Sequence, residues 1–172
     1  MAFVIAVVSA TFFSCALVEV ELYRNAHPFL FLSMPLLVLF VWWDRHQPMG
    51  VLSSHRVVSS LQGNAASVGR VVTAAGLKTL FFTLIAHLTG ASVGREAVGL
   101  QLGGWAAELR AARGWYFASC VAAGFAIVLG TPLAAAIFIF EAKRWRVTWK
   151  DLIAVPILAF VAYQFSLFFG LT

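Results

Sequence analysis

The sequence predicts an all-α integral membrane protein of about seven or eight helices, several of them short, tilted or broken. Three observations carry this. Hydrophobic residues make up 62% of the chain and charged residues 11%, against roughly 45–50% and about 25% in soluble domains. The mean hydropathy is +0.91, and a chain this small buries only about 70% of its surface, so the apolar surplus needs lipid as its solvent. Finally, the charges fall mostly between long uncharged runs. Disorder, a collagen-like fibre and a disulfide scaffold are excluded by the same composition.

The elements follow in order. Ala2 to Val18 is uncharged and stops at Glu19 and Glu21. It lies near the lower length limit for a span. No basic segment precedes it, so it reads as a first span rather than a signal peptide. Pro28 to Trp43 is a second run that closes on Trp42 and Trp43, a pair suited to the membrane interface. Pro35 inside it predicts a kink. Val51 to Leu61 is short, serine-rich and carries His55 and Arg56, and reads as a partial helix. Val68 to Leu88 is a span interrupted by Lys78. Ala97 to Ala107 has a helical pattern but is too short to cross. Gly114 to Phe140 is uncharged and too long for one straight span; Gly130-Thr131-Pro132 divides it into two helices. Leu152 to Thr172 is the last span. Broken helices in lipid persist only where protein covers them or where they line a cavity, which points to a transport site near the midplane.

The net charge of +5 reads as membrane-flanking charge, with no nucleic-acid partner. Cys15 and Cys120 lie in apolar runs and form no disulfide framework. The four histidines, His27, His46, His55 and His87, lack ligand spacing, so no metal site is expected. No cofactor motif, phosphate loop or nucleophile–base set is present, and no enzymatic activity is expected.

The chemistry concentrates in Gly90-Ala-Ser-Val-Gly94-Arg95-Glu96-Ala97-Val98-Gly99. Small residues around Gly94 let the backbone turn tightly, and the helix that starts here offers free N–H groups and a partial positive charge. Such an end is an anion site. Glu96 stands at the same end. Its carboxylate can occupy the site when no anion does, and protonation would release it. The competing reading makes Arg95 and Glu96 an interfacial ion pair or helix cap. The glycines at 90, 94, 99 and 103 also have the spacing of close helix packing.

This stretch resembles the Gly-Arg-Glu motif of the CLC family of chloride channels and proton-coupled anion exchangers. The run Ala122 to Glu141, with Gly130, Pro132, Phe138 and Glu141, resembles the glycine–proline–Phe–Glu signature that follows it in that family. Lys78 resembles a lysine many members carry in the helix before the gate. The resemblance extends from Ala2 to Thr172 but to one of the family's two inverted repeats. It therefore implies a single domain, 1–172, forming one CLC-like repeat.

The function it implies is movement of a small halide anion, fluoride or chloride, either channel-like or proton-linked. Glu96 would be the gate, and the N–H groups around Gly94, Arg95, Ala97 and Val98 would face the anion. Ser53, Ser54 and Lys78 are candidate pathway residues. Ser53 and Ser54 lie in the segment matching a serine-containing family loop, without its glycines and proline. Ala97 and Val98 replace the usual Gly-Pro, a departure that resembles the fluoride-type and divergent branches. Glu141 is a candidate proton-route or interface acid, or a helix end salt-bridged to Lys143 or Arg144. Ala142 stands where many exchangers carry an internal glutamate. The expected partners are the lipid bilayer, the halide and a second copy of the chain, a homodimer of half-repeats. The alternative is a non-transporting half-subunit that needs a second polypeptide. The implied location is a bacterial inner membrane, with the basic loop Lys143 to Lys150 cytoplasmic.

Overall fold

The computed structural model describes residues 1–45, 55–63, 69–91 and 94–170, and among them it places eight α-helices and no strand. The candidates Ser53 and Ser54 lie outside the described residues.

Helix α1 (Ala2–Ala26) continues beyond the predicted end at Val18. Glu19, Glu21 and Arg24 are good helix formers, so charge ends the apolar stretch without ending the helix. At about 38 Å it exceeds a hydrocarbon core of about 30 Å, and its last turns carry these charges beyond the apolar part. The second run is not a kinked span. Pro28–Ser33 forms a 3₁₀ helix, and α2 begins afterwards (Met34–Arg45). Pro35 thus falls in the first turn, where a missing N–H breaks no hydrogen bond. Helix α3 (His55–Leu61) is the predicted partial helix. Helix α4 (Gly69–Leu88) carries Lys78 near its middle; that side chain lies outside what the structure describes.

Helix α6 (Gly114–Leu129) is the centre of the bundle. Every residue from Phe117 to Val128 is buried, as expected of a helix that is apolar all round. It packs against α5 (Glu96–Glu108), α1, α7 (Pro132–Lys143) and α8 (Trp149–Leu167). The α5–α6 crossing is close because glycines meet across it. A methyl group on Gly124 would stand 2.5 Å from the Gly99 carbonyl oxygen, and one on Gly103 would collide with the Cys120 carbonyl. The spacing of Gly99 and Gly103 is therefore a packing feature.

Gly130 closes α6 in the left-handed region (φ +69°), and Pro132 opens α7 two residues later. This is the predicted break. At the α7–α8 corner, Lys143 pairs with Asp151, both essentially buried. Asp151 also accepts from the Thr148 N–H (2.7 Å) and hydroxyl (2.5 Å) and completes a capping box that starts α8 at Trp149, before the predicted Leu152. Lys143 is thereby unavailable to Glu141, which is exposed at the end of α7.

Helix α1 runs antiparallel to α5, tied near one end by Arg110 and Met1 and at the other by Arg95 and Glu21. The two ends of the bundle differ in charge. Arg110, Arg113, Lys143, Arg144, Arg146 and Lys150 gather at one. At the other, Arg24 and Arg95 are offset by Glu19, Glu21 and Glu96. The outer surface is apolar, including Val4, Val8 and Phe12 of α1 and Leu152, Ile153, Ile157 and Phe160 of α8.

Candidate functional site

At the less basic end, the C-terminal ends of α1, α4 and α6 meet the N-terminus of α5 around a cavity of about 500 Å³. Its lining includes Glu21, Arg24, His87, Gly94, Arg95 and Glu96. The sequence motif therefore opens into a polar hollow instead of packing into the core.

Arg95 is the residue before α5 and has near-helical backbone angles. Glu96 is the first helical residue and is exposed. Its carboxylate turns back over Gly94, and Oε2 occupies the space a Cβ at Gly94 would take. The N–H groups of Glu96 and Ala97 have no acceptor within the helix. Val98 differs from the rest of the expected set: its N–H donates to the Arg95 carbonyl (3.1 Å), and its side chain is buried. The negative group thus rests at the positive end of a helix dipole, where a carboxylate or an anion is favoured.

Three other side chains complete the site, and nothing in their spacing along the chain groups them. Glu21 accepts from Arg95 Nη2 at 3.2 Å, with both side chains partly exposed. An ion pair of this exposure contributes little stability; its consequence is to fix the guanidinium beside α1. Arg95 is therefore not paired to its neighbour Glu96. His87 is buried, and its Nδ1 lies 2.8 Å from the Thr83 carbonyl. Since a carbonyl can only accept, Nδ1 carries the hydrogen of this contact. Arg24 lines the cavity from the end of α1. Glu141 lies at the opposite end of the bundle and does not join this site. Only tertiary structure brings Glu21 and Arg24 of α1 and His87 of α4 to the start of α5; the one available signal was that each polar group ends an apolar run. Among the described residues, no group of three or more His, Cys, Asp or Glu could hold a metal ion.

Residues 54–172 match the family described as voltage gated chloride channel. The chain belongs to that family. The match contains the whole of α5, α6, α7 and α8 and with them Glu96 and the Gly130–Pro132 break. A chloride/fluoride channel protein of Pseudomonas syringae pv. tomato is 38% identical over 94 residues, which are 49% of this chain and 21% of that protein. The chain thus aligns with about a fifth of that relative's length. No solved structure matches it. As a voltage gated chloride channel family member with this all-α fold, it is an integral membrane protein, and its apolar exterior meets lipid or other apolar helices.

Proposed function

We propose that the chain forms one half of a pathway for a small halide anion, fluoride or chloride, in a bacterial inner membrane, with Glu96 as its gate. The observation that carries this reading is the carboxylate of Glu96 folded over Gly94 at the start of α5 and lining an open polar cavity. An anion approaching the N–H groups of the Gly94–Ala97 segment meets that carboxylate first. The two compete for one positive helix end. Protonation removes the charge, frees the place and makes anion entry pH-dependent. Arg24 and Arg95 add positive charge at the entrance, while Glu21 holds Arg95 to the side.

The family match and the chloride/fluoride channel relative support an anion as the cargo. The other half of the pathway comes from a second repeat. Lys78 and Glu141 remain candidate contributors, Lys78 from α4 and Glu141 from the basic end. Positive charge is retained on the cytoplasmic side of membranes, so the basic end faces the cytoplasm and the Glu96 cavity faces outward.

The test is halide efflux from vesicles reconstituted with the native chain and with Glu96→Gln, read with fluoride- and chloride-selective electrodes. Glu96→Gln should change the rate and flatten its dependence on pH. An unaltered rate and profile would remove Glu96 from the mechanism. Efflux only after a second polypeptide is added would assign the missing half to that partner.

A further inference from the structure

At the basic end, the ends of α3, α5, α7 and α8 enclose a second cavity of about 850 Å³, for which the Glu96 gate has no use. Arg113, Lys143, Arg146 and Lys150 line it together with Trp115 and Trp149. These cations are not equivalent. Lys143 is neutralised by Asp151. Arg113, Arg146 and Lys150 have no carboxylate within ion-pairing distance among the described residues. Arg146 reaches over Gly63: its Nη1 occupies the space a Cβ there would take, and Gly63 has φ +74°. Lys150 Nζ sits 5.7 Å from the centre of the Trp149 ring.

The cavity also contains one acid. Glu108, the last residue of α5, lines it, and its Oε2 is buried with no hydrogen-bond donor. Three uncompensated cations call for an anion, and a buried carboxylate oxygen without a donor calls for an N–H cation. A group that answers both is phosphoethanolamine. Its phosphate can take charge-assisted hydrogen bonds from arginine and lysine, and its primary ammonium has three hydrogens to donate.

The surroundings favour a lipid over the free headgroup. Trp115 and Trp149, both exposed, belong to a residue type that collects at membrane interfaces. Beyond Trp149, α8 presents exposed Leu152, Ile153, Ile157 and Phe160, an apolar track for acyl chains that a soluble ligand would leave uncovered. We infer that this cavity binds an ethanolamine phospholipid, with its phosphate held by Arg113, Arg146 and Lys150 and its ammonium by Glu108.

The test uses the full chain in mild detergent, offered equal amounts of phosphatidylethanolamine, phosphatidylcholine and phosphatidylglycerol, with retained lipid counted by native mass spectrometry. Its readout is independent of halide flux. One phosphatidylethanolamine should be retained per chain, with a preference of about tenfold over phosphatidylcholine, whose ammonium has no N–H. Glu108→Gln should abolish that preference while lipid is still retained. The triple variant Arg113→Gln/Arg146→Gln/Lys150→Gln should retain none of the three. Should the triple variant not fold, Lys150→Gln alone should weaken retention about threefold, since Lys150 is exposed. Equal retention of the ethanolamine and choline lipids, a preference for phosphatidylglycerol, or an unchanged preference in Glu108→Gln would overturn the proposal. So would unchanged retention in Lys150→Gln. Displacement by soluble phosphoethanolamine at the same concentration would overturn the lipid as the occupant.

Discussion

Replacing Lys143 by methionine is the sharpest perturbation of the fold. Lys143 is 6% exposed and Asp151 fully buried. Methionine keeps most of the volume and removes the charge, so the loss measured is electrostatic. Removing one partner of a buried ion pair costs about 3–5 kcal/mol, because the remaining charge stays buried without its counter-ion. Asp151 retains two donors here, the N–H and hydroxyl of Thr148, which places the expected loss near the lower figure, about 3 kcal/mol. For a chain of this size each kcal/mol moves the melting temperature by about 2–4 °C, so Lys143→Met should melt about 6–12 °C lower. Adding Asp151→Asn removes the stranded charge and should recover most of the loss. The assay is thermal unfolding in mild detergent followed by circular dichroism, run as a double-mutant cycle. A Lys143→Met variant melting within 1 °C of the native chain, or no recovery in the double variant, would refute the reasoning.

Two adjacent glycines should differ in their response to alanine. Gly103→Ala places a methyl group against the Cys120 carbonyl, which cannot move without displacing α6, and should destabilise by about 1–3 kcal/mol. Gly104→Ala meets Val57 Cγ2 at 3.2 Å, a side chain able to turn, and should melt close to the native chain. Proton coupling should be weak, because Ala142 is buried at the position where an internal acid was expected. An imposed anion gradient should move few protons uphill, and a fixed anion-to-proton ratio would show otherwise. A cysteine at Arg146, in a background lacking Cys15 and Cys120, should label from the cytoplasmic side alone. Labelling from both sides would indicate copies inserted in opposite orientations.

Elements whose signals are local were legible in the sequence. The division at Gly130-Thr131-Pro132 was one, since a left-handed cap followed by proline is written in adjacent residues. The start of α5 was another, read at Ala97 and found one residue earlier at Glu96. Span ends read from charge were less secure: Glu19 and Glu21 end the apolar stretch of α1, but helix propensity carries the helix to Ala26. Pro35 was read as a kink because its distance from the helix start was unknown. The partner of Lys143 was hidden because Glu141 is nearer in sequence, whereas the α7–α8 corner brings Asp151 to it. For the site, the motif located Glu96 and Gly94 but not Glu21, which lies 74 residues from its partner Arg95. The dual use of the glycines, at the cavity for Gly94 and in packing for Gly99 and Gly103, follows from where α6 crosses.

The shortness of α5 has an electrical consequence. Its thirteen residues span about 20 Å, and a bilayer's hydrocarbon core is about 30 Å thick. With its Glu108 end at one interface and its axis near the membrane normal, the helix brings Glu96 about 10 Å below the other. A unit charge that reaches Glu96 from outside has then crossed about a third of the membrane potential. Since a full crossing is worth about 2.3 kcal/mol per 100 mV, that fraction is about 0.8 kcal/mol, or about a fourfold change in occupancy per 100 mV. On the proposed reading, a helix of this length sets the carboxylate and the anion within the field, so membrane potential weighs on their competition.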